Sequence, residues 1–400
     1  MKYWRGYLVA AIIGLITWGL LQLGQRFTKL VDMVYPYLSR TIQSFLSGWS
    51  GGVDFLVWQL AVVLIILLVL ATIVLMIIFR WNFFQWLGWI LAGASMIWFL
   101  HTGIYGLNYH AGPLADDIRL VMSDYSLDEL EEATIYYQER ANALAAELPR
   151  DGAGNPIFSD FDTLAQQAGD GFKVLTSEKY TYSIFAGDLS PVKKLGWADM
   201  YTSMGITGVT MPITGEAAVN PQIPAVSLPF TMCHEMAHRM CIAIEADANF
   251  AAYLACSENE SVEFQYSAYF MAYRYCYSAL ASLSSKSAAT ATARIGTAEN
   301  EYLRQDMAEY NRFFNENMKD SNTKIGDWLN DTYIKVSGDG DGIRSYGRVS
   351  DLLVCWHLQT VVLPDQKDEA QSNFDPYDED QVDLSGIVGA LPKQTAGVAG

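Results

Sequence analysis

Three long apolar runs separate the first quarter of the chain from the rest. They cover residues 7–24, 55–79 and 86–107, and the second of them contains no charged side chain. A helix needs about 20 consecutive apolar residues to satisfy its backbone groups across the hydrocarbon of a bilayer. The pattern therefore predicts a membrane domain over residues 1–110 with three transmembrane helices, in a multi-pass protein that contacts the lipid bilayer.

The polar positions around the first run refine this prediction. The run follows Lys2 and Arg5, as in a signal peptide, but no small-x-small cleavage site comes after it. We therefore expect an uncleaved anchor. The linker 25–54 has apolar residues at helical spacing, which predicts an amphipathic helix lying along the membrane interface.

Charge is distributed unevenly along the chain. The first 106 residues carry six basic and two acidic side chains, about +4, whereas the whole chain carries −18, which leaves about −22 for the remainder. Basic residues stand on both sides of the first apolar run, so the positive-inside rule gives little preference for either membrane orientation. The acidic remainder favours an extracytoplasmic domain on a protein of the cell membrane. Such a domain repels nucleic acid, which we exclude as a partner.

Residues 111–362 predict a domain that is α+β and mostly α. Ser126 stands three residues before Glu129, a capping box that predicts a helix to about residue 147. A second helix is predicted over about 160–177.

A small sheet is predicted in the middle of this domain. The segment 203–230 is rich in Gly, Thr, Val and Pro, which is typical of short strands and turns. Gly208 and Pro212 favour an edge strand. From Thr231 the pattern is helical almost to residue 362, with a turn at 337–342.

The remaining features are less specific. Residues 363–400 are acidic and then Gly- and Ala-rich, which predicts a disordered tail. The cysteines contain no C-x-x-C pair, and we expect them to be small core residues. They are Cys233, Cys241, Cys256, Cys276 and Cys355.

The stretch CHEMAHRMCIAIEADAN, residues 233–249, carries the candidate chemistry. It contains H-E-x-x-H at His234, Glu235 and His238, using two of the five histidines of the chain. Helix residues four apart share one face, so both imidazoles can reach one ion. Zinc held in this way lowers the pKa of a bound water, and the neighbouring Glu takes its proton. The motif predicts a zinc-dependent hydrolase of peptide or protein substrates, with His234 and His238 as ligands and Glu235 as the general base.

An open catalytic zinc site uses a third protein ligand. The string from Glu245 to Asn249 resembles the E-x-x-A-D or E-x-x-A-N signature on the second helix of gluzincin-type zinc peptidases. The resemblance implies that Glu245 ligates zinc and that Asn249 supports a ligand histidine. Glu258 stands twenty residues after His238, a spacing similar to that of thermolysin-like enzymes, and is the alternative ligand. Further acidic residues are weaker candidates: Glu260 and Glu263 as ligands and Asp247 as a supporting carboxylate.

Geometry places a condition on Glu245. On one uninterrupted helix it would lie about 10 Å further along the axis than His238, so it could not reach the same ion. The helix must therefore break between Arg239 and Ile244. Cys241 occupies the position at which a turn-permitting Gly would be expected.

Most of residues 1–360 resembles an uncharacterised bacterial family, domain of unknown function 3810. The resemblance rests on the order of apolar spans, on the block GITGVTMPITGEAAVN followed by CHEMAHRMCIAIEADANF, and on NDTYIKVSGDGDGIRSYGRVSDLLV late in the chain. It implies a membrane-anchored HExxH protein with a zincin-like domain over 111–362, and it supplies no substrate. The family has Gly at the position of Cys241 and Glu at that of Asp247. The matching positions are His234, Glu235, His238, Glu245 and Asn249.

A different class of function fits the same residues. The domain would then be a non-catalytic, membrane-tethered binding or sensory module with a structural metal site. Such a site needs a fourth ligand, and Cys233 and Cys241 are the nearest soft donors. Glu235 favours catalysis, because a structural site has no use for it. Tyr346 and Arg348 are weaker candidates for oxyanion donors, since packing or helix capping is their commoner role.

Overall fold

The computed structural model describes residues 4–318, 322–324, 326 and 348–362. Tyr346, the turn at 337–342 and the tail 363–400 lie outside them. The described helices are α1 (Arg5–Arg26), α2 (Thr28–Ser50), α3 (Val57–Ile78), α4 (Phe83–Ile104), α5 (Leu114–Asp117), α6 (Leu127–Glu147), α7 (Phe161–Gln167), α8 (Asp170–Leu175), α9 (Ala198–Ser203), α10 (Leu228–Arg239), α11 (Glu245–Ser257), α12 (Val262–Ser282), α13 (Lys286–Thr297), α14 (Glu301–Asn317) and α15 (Arg348–His357). The strands are β1 (Lys193–Lys194), β2 (Gly208–Met211) and β3 (Glu216–Val219). The described chain is therefore mostly helical with a small sheet, as predicted.

Helices α1, α3 and α4 are each 22 residues long and apolar enough to cross a membrane. Helices α1 and α4 cross closely, since a Cβ added to Gly6 would lie 2.4 Å from the backbone carbon of Gly88. Small residues at such a crossing allow two apolar helices to pack backbone against backbone. Within α3 the one buried residue is Trp58, so the apolar surface of α3 is otherwise exposed, as expected for a helix that could cross a membrane.

Helix α2 has its polar face inward and its apolar face outward. Gln43 donates to the carbonyl of Pro212 at 2.9 Å, and Arg40 donates to the carbonyl of Ser183 at 2.8 Å. The amphipathic helix predicted in the linker is therefore docked on the following domain by polar side chains. Its outer face is apolar and suited to lipid. The exposed residues of that face include Leu30, Met33, Val34, Leu38, Phe45 and Trp49.

The sheet has the order β1-β3-β2, with β2 antiparallel and β1 parallel to β3. Gly208 pairs with Val219 and Met211 pairs with Glu216. Strand β2 ends before Pro212, which has no N–H to donate to a ladder. It lies at the edge of the sheet, as Gly208 and Pro212 predicted.

Glu216 joins this sheet to the apolar helix α3. Its carboxylate accepts hydrogen bonds from the backbone N–H groups of Val57 and Trp58, both at 2.9 Å, and from Lys193 Nζ at 2.8 Å. The N–H groups of a first helical turn have no partner inside the helix, and negative charge is favourable there. Strand β3 therefore caps α3, a link that the sequence pattern did not indicate.

The core is built around helix α11, which is buried along almost its whole length. Helices α10, α12 and α15 pack on it, and α6 packs on α12. The helix predicted over 160–177 is in fact two, α7 and α8. They meet near Gly169 and bring Gly171 against α11, where an added Cβ would lie 1.7 Å from the carbonyl oxygen of Ala255. The helical pattern after Thr231 is likewise divided by short turns into α10, α11, α12, α13 and α14.

A buried ion pair fixes α14 against this core. Arg150 makes two 2.8 Å hydrogen bonds to the carboxylate of Asp306, which also accepts from the Tyr266 hydroxyl at 2.5 Å. The side chains of Arg150 and Asp306 are 9% and 1% exposed. Arg150 also lies over the Tyr302 ring, with its guanidinium carbon 4.5 Å from the centroid.

Replacing Arg150 with Met should lower the free energy of unfolding by about 3–5 kcal/mol, because it leaves the Asp306 charge buried without its partner. The matched control is Arg312→Met in α14, where the arginine is 60% exposed and pairs with Glu309. That variant should stay close to wild type. Denaturant unfolding in detergent measures both, and equal losses would contradict a special role for the buried pair.

Candidate metal centre

Helix α10 presents the two motif histidines on one face. Pro229 is in the first turn of α10. Proline has no backbone N–H, and an N–H in this turn would have no partner inside the helix. The rings of His234 and His238 lie 4.5 Å apart between centroids and are nearly perpendicular, at 86°. Their side chains are 13% and 12% exposed. Both rings are therefore close enough to share one ligand while remaining largely shielded from water.

The chain reverses its direction directly after α10. The N–H of Cys241 donates to the carbonyl of His238 at 2.9 Å, and the N–H of Ile242 donates to that of Ala237 at 3.1 Å. These two bonds form a Schellman motif, which needs a left-handed residue at the first position after the cap. Cys241 fills it with φ of 72°. The helix break that a Glu245 ligand requires is thus present without a glycine.

Helix α2 holds this left-handed cysteine in place. The Cys241 Sγ lies 3.2 Å from the Ser39 Oγ. The Ser39 hydroxyl donates its one proton to the carbonyl of Ile104 at 2.7 Å and accepts from Asn108 Nδ2 at 2.9 Å, so the thiol is the donor. Burial raises the pKa of Cys241 to about 11. The residue at the turn is therefore a neutral thiol bonded to helix α2.

Glu245 opens helix α11 and returns to the histidines. Its Oε2 lies 3.5 Å from His234 Nε2, and its Oε1 lies 3.6 Å from His238 Nε2. Ligands about 2.1 Å from a tetrahedral zinc ion are about 3.4 Å apart, so these spacings suit such an ion. Two imidazole nitrogens and a carboxylate are also the donor types that zinc accepts. Among the described residues, these three form a group able to hold a metal ion.

The charges and hydrogen bonds of the two histidines and Glu245 favour positive charge at the centre of the cluster. His238 Nδ1 donates to the carbonyl of Ile242 at 2.8 Å, which orients Nε2 toward Glu245. Burial alone would lower the pKa of His238, but the Glu245 carboxylate raises it to about 9. Burial would raise the pKa of Glu245, yet His238 and His234 lower it well below its usual range. Protons meet this demand in the free site, and a metal ion would meet it by displacing them.

Glu235 lies beneath strand β2. The Thr210 hydroxyl is 2.7 Å from Glu235 Oε2 and 2.9 Å from the Glu235 carbonyl oxygen. A Cβ added to Gly208 would lie 2.3 Å from Oε1, so the strand has room for this carboxyl only because residue 208 is glycine. Burial raises the pKa of Glu235, and the charges of His234 and His238 oppose that rise.

The alternative ligands lie away from the cluster. The Glu258 carboxylate accepts from Lys179 Nζ at 2.6 Å and from the Tyr180 hydroxyl at 2.5 Å. Glu263 accepts a hydrogen bond from a backbone N–H, and Glu260 is exposed. The structure therefore brings Glu245, and none of these three, to the two histidines.

The predicted supporting residues behave differently from one another. Asp247 accepts from the backbone N–H of Leu114 at 3.1 Å, which ties α11 to α5. Asn249 lines the same cavity as His234, but His234 Nδ1 and Asn249 Nδ2 have no hydrogen-bond partner in the described part of the chain. The support that the resemblance implied for Asn249 is not formed there. The bond that orients a candidate ligand histidine runs instead from His238 to the backbone of Ile242.

Two residues beside the cluster were missed from the sequence. The sequence pattern marks Gly208 only as an edge-strand residue and gives no signal at Thr210, although both residues contact Glu235. The available signal was the short strand that precedes the motif helix. Only the packing of β2 across α10 shows which of its residues meet the carboxyl.

Fold and cluster together define a class of protein. It is mostly helical, has three apolar helices of membrane-spanning length, and has a largely buried group of two histidines and a glutamate. The chain belongs to the family described as Protein of unknown function (DUF3810), whose profile matches residues 31–354. This match confirms the family resemblance and assigns no activity. No curated protein and no solved structure matches the chain.

Replacing Cys241 with Val should lower the free energy of unfolding by about 1–2 kcal/mol more than the same change at Cys276, because a β-branched residue resists a left-handed backbone. Cys276 is an equally buried free cysteine inside helix α12. Cys241→Gly should lose less than Cys241→Val, because glycine adopts positive φ freely. Thermal unfolding of the three variants measures these differences. Equal losses for the two valine variants would show that the turn tolerates any small side chain.

Proposed function

We propose that this protein is a membrane-anchored zinc metallopeptidase that hydrolyses peptide bonds. In this proposal His234, His238 and Glu245 hold the zinc ion, and Glu235 is the general base. The observation that carries it is the approach of Glu245 to both histidines, at 3.5 and 3.6 Å, beside a buried second carboxyl. A motif helix, a reversing turn, a second helix and an edge strand across the first are also the parts expected of a zincin-like domain.

Zinc in such a centre supplies Lewis-acid chemistry and activates water for attack on a carbonyl. The rest falls to the side chains. Thr210 holds Glu235 Oε2 at 2.7 Å, which leaves Oε1 to accept the proton of the attacking water. Burial raises the pKa of Glu235, and so moves its basicity toward that of a base working near neutrality. The Ile242 carbonyl keeps the His238 ring in a single orientation.

Strand β2 supports a peptide substrate. It pairs with β3 along one edge, and no strand within the described residues pairs with the other edge. An extended peptide can add to an edge of this kind through its main chain. Gly208 and Thr210 of the same strand contact Glu235, so a peptide added there would pass beside the base.

A non-catalytic module with a closed metal site has less support. Its fourth ligand would be a cysteine, but the Cys241 thiol is bonded to Ser39 and the Cys233 thiol faces the carbonyl of Ala168 at 3.5 Å. Three ligands leave one coordination position open, as catalytic zinc sites do. The three apolar helices support a cell-membrane location. We infer an extracytoplasmic domain from the acidic charge that follows those helices.

Purified protein should hold about one zinc ion per chain. Glu245→Gln should weaken zinc binding by more than about a hundredfold, as should His234→Ala, since even outer partners of zinc ligands matter at 10–100-fold. The matched control is Glu258→Gln, whose carboxylate pairs with Lys179. Elemental analysis after dialysis against a weak chelator measures the content. Loss of zinc in the Glu258 variant with retention in the Glu245 variant would reverse the ligand assignment.

Glu235→Gln should keep its zinc and lose peptidase activity by about 10²- to 10⁴-fold, the usual contribution of a general base. The substrate is a labelled peptide library, and the products are found by mass spectrometry. Glu258→Gln again serves as the control and should cleave like wild type. Equal turnover by Glu235→Gln and wild type would exclude the mechanism.

A further inference from the structure

A cavity of about 510 Å³ opens beside the candidate metal centre. His234 forms part of its wall, and the segment 205–207 that leads into β2 forms another part. The remaining walls come from Ser227 and from helices α10, α11, α12 and α14. A substrate lying along β2 and reaching the cluster would therefore place neighbouring groups in this cavity. Its lining includes Phe230, Met271, Arg274, Tyr275, Tyr310 and Phe314.

Aromatic rings and Met271 form one part of these walls and polar side chains form much of the rest, and Arg274 is the one Lys, Arg, Asp or Glu among the described lining residues. It is half-buried, and its guanidinium carbon lies 4.0 Å from the centroid of the Tyr310 ring. Stacking on an aromatic face orients a guanidinium and leaves the N–H groups at its edge free to donate. The cavity thus combines an apolar surface with one oriented cation.

Arg274 differs in its partners from several arginines of the domain. Arg150, Arg239 and Arg312 each pair with an acidic side chain. No acidic side chain in the described part of the chain pairs with Arg274. A guanidinium that is partly withdrawn from water without a carboxylate partner is suited to bind an anion from outside the protein, with two parallel N–H donors.

We propose that Arg274 binds a carboxylate of the substrate, so that peptides carrying a carboxylate close to the cleaved bond are preferred. This inference rests on the proposed peptidase function and names the substrate class of that same site. The carboxylate has two sources: the C-terminal carboxyl of a peptide or the side chain of Asp or Glu. Both present the same planar pair of oxygens to a guanidinium.

Four synthetic peptides built on one parent sequence distinguish these sources. One has a free C-terminus, one is its C-terminal amide, and two are amides with Glu or Gln next to the cleaved bond. With full-length zinc-loaded protein, kcat/KM should be about 10- to 100-fold higher for the peptides that carry the preferred carboxylate, the range expected for a hydrogen bond to a charged group. Equal rates for all four would overturn the proposal and leave the peptidase function intact.

Arg274→Gln should lower kcat/KM for the carboxylate peptides to the level of the uncharged amides and so remove this preference. The matched control is Arg140→Gln, because Arg140 also stacks on a tyrosine, at 5.1 Å from the Tyr269 ring, and does not line the cavity. That variant should keep the preference. If Arg274→Gln slowed all four peptides equally, the arginine would serve only to hold α12 against α14, and the proposal would be wrong.

Binding to the Glu235→Gln variant separates this proposal from the proposed function. Zinc-loaded Glu235→Gln should bind the free acid or Glu peptide about 10- to 100-fold tighter than the uncharged amide. The double variant with Arg274→Gln should bind all four alike. Such binding without any cleavage by wild type would sink the peptidase function while keeping the carboxylate site. Cleavage by wild type with charge-independent binding would do the reverse.

Discussion

The sharp reversal of the chain between His238 and Glu245 is the constraint on which the candidate site depends. Without it, the third carboxylate would lie about two turns further along a straight helix, out of reach of the histidines. The Schellman hydrogen bonds of Cys241 and Ile242 close α10, and α11 starts at the residue that must return. The same turn supplies the Ile242 carbonyl that orients His238. The turn therefore brings Glu245 to the histidines and also fixes the orientation of the His238 ring.

The turn needs support from other contacts, because the left-handed backbone conformation is less favourable for cysteine than for glycine. Its thiol is bonded to Ser39 of α2. Further along α2, Ser47 donates to Asp188 at 2.8 Å, and Asp188 lies 3.5 Å from Arg239 at the end of α10. Helix α2 thus contacts the turn at Cys241 and is linked through Asp188 to Arg239 at the end of α10. The ligand cluster and helix α2 therefore belong to one packed unit. A change in the position of α2 would change the positions of the ligands.

The features that could be predicted from the sequence are those set by local spacing. Apolar runs located α1, α3 and α4, the Ser126–Glu129 pair located the start of α6, and two histidines four residues apart defined one helix face. The features that could not be predicted depend on contacts between distant residues. The bond from Ser39 to Cys241 spans 202 residues and that from Glu216 to Val57 spans 159. Sequence rules place a left-handed turn at glycine. Cys241 adopts this conformation with support from a distant helix, so the local sequence gives no signal of the turn. The split between α7 and α8 was missed for a similar reason, since it follows from the close packing of Gly171 on α11.

In the proposed zinc centre, charge balance would favour a divalent ion over a single proton. Glu235 and Glu245 are neighbouring, largely buried carboxyls, and isolated buried charge is costly. One divalent cation with two neutral histidines would neutralise both carboxylates, whereas protons must either neutralise a carboxyl or charge a histidine. The centre would then carry no net charge, in a domain that is otherwise strongly acidic. Arg274 is outside this balance, since no described acid pairs with it. A carboxylate arriving with the substrate would be the partner that the described residues do not provide.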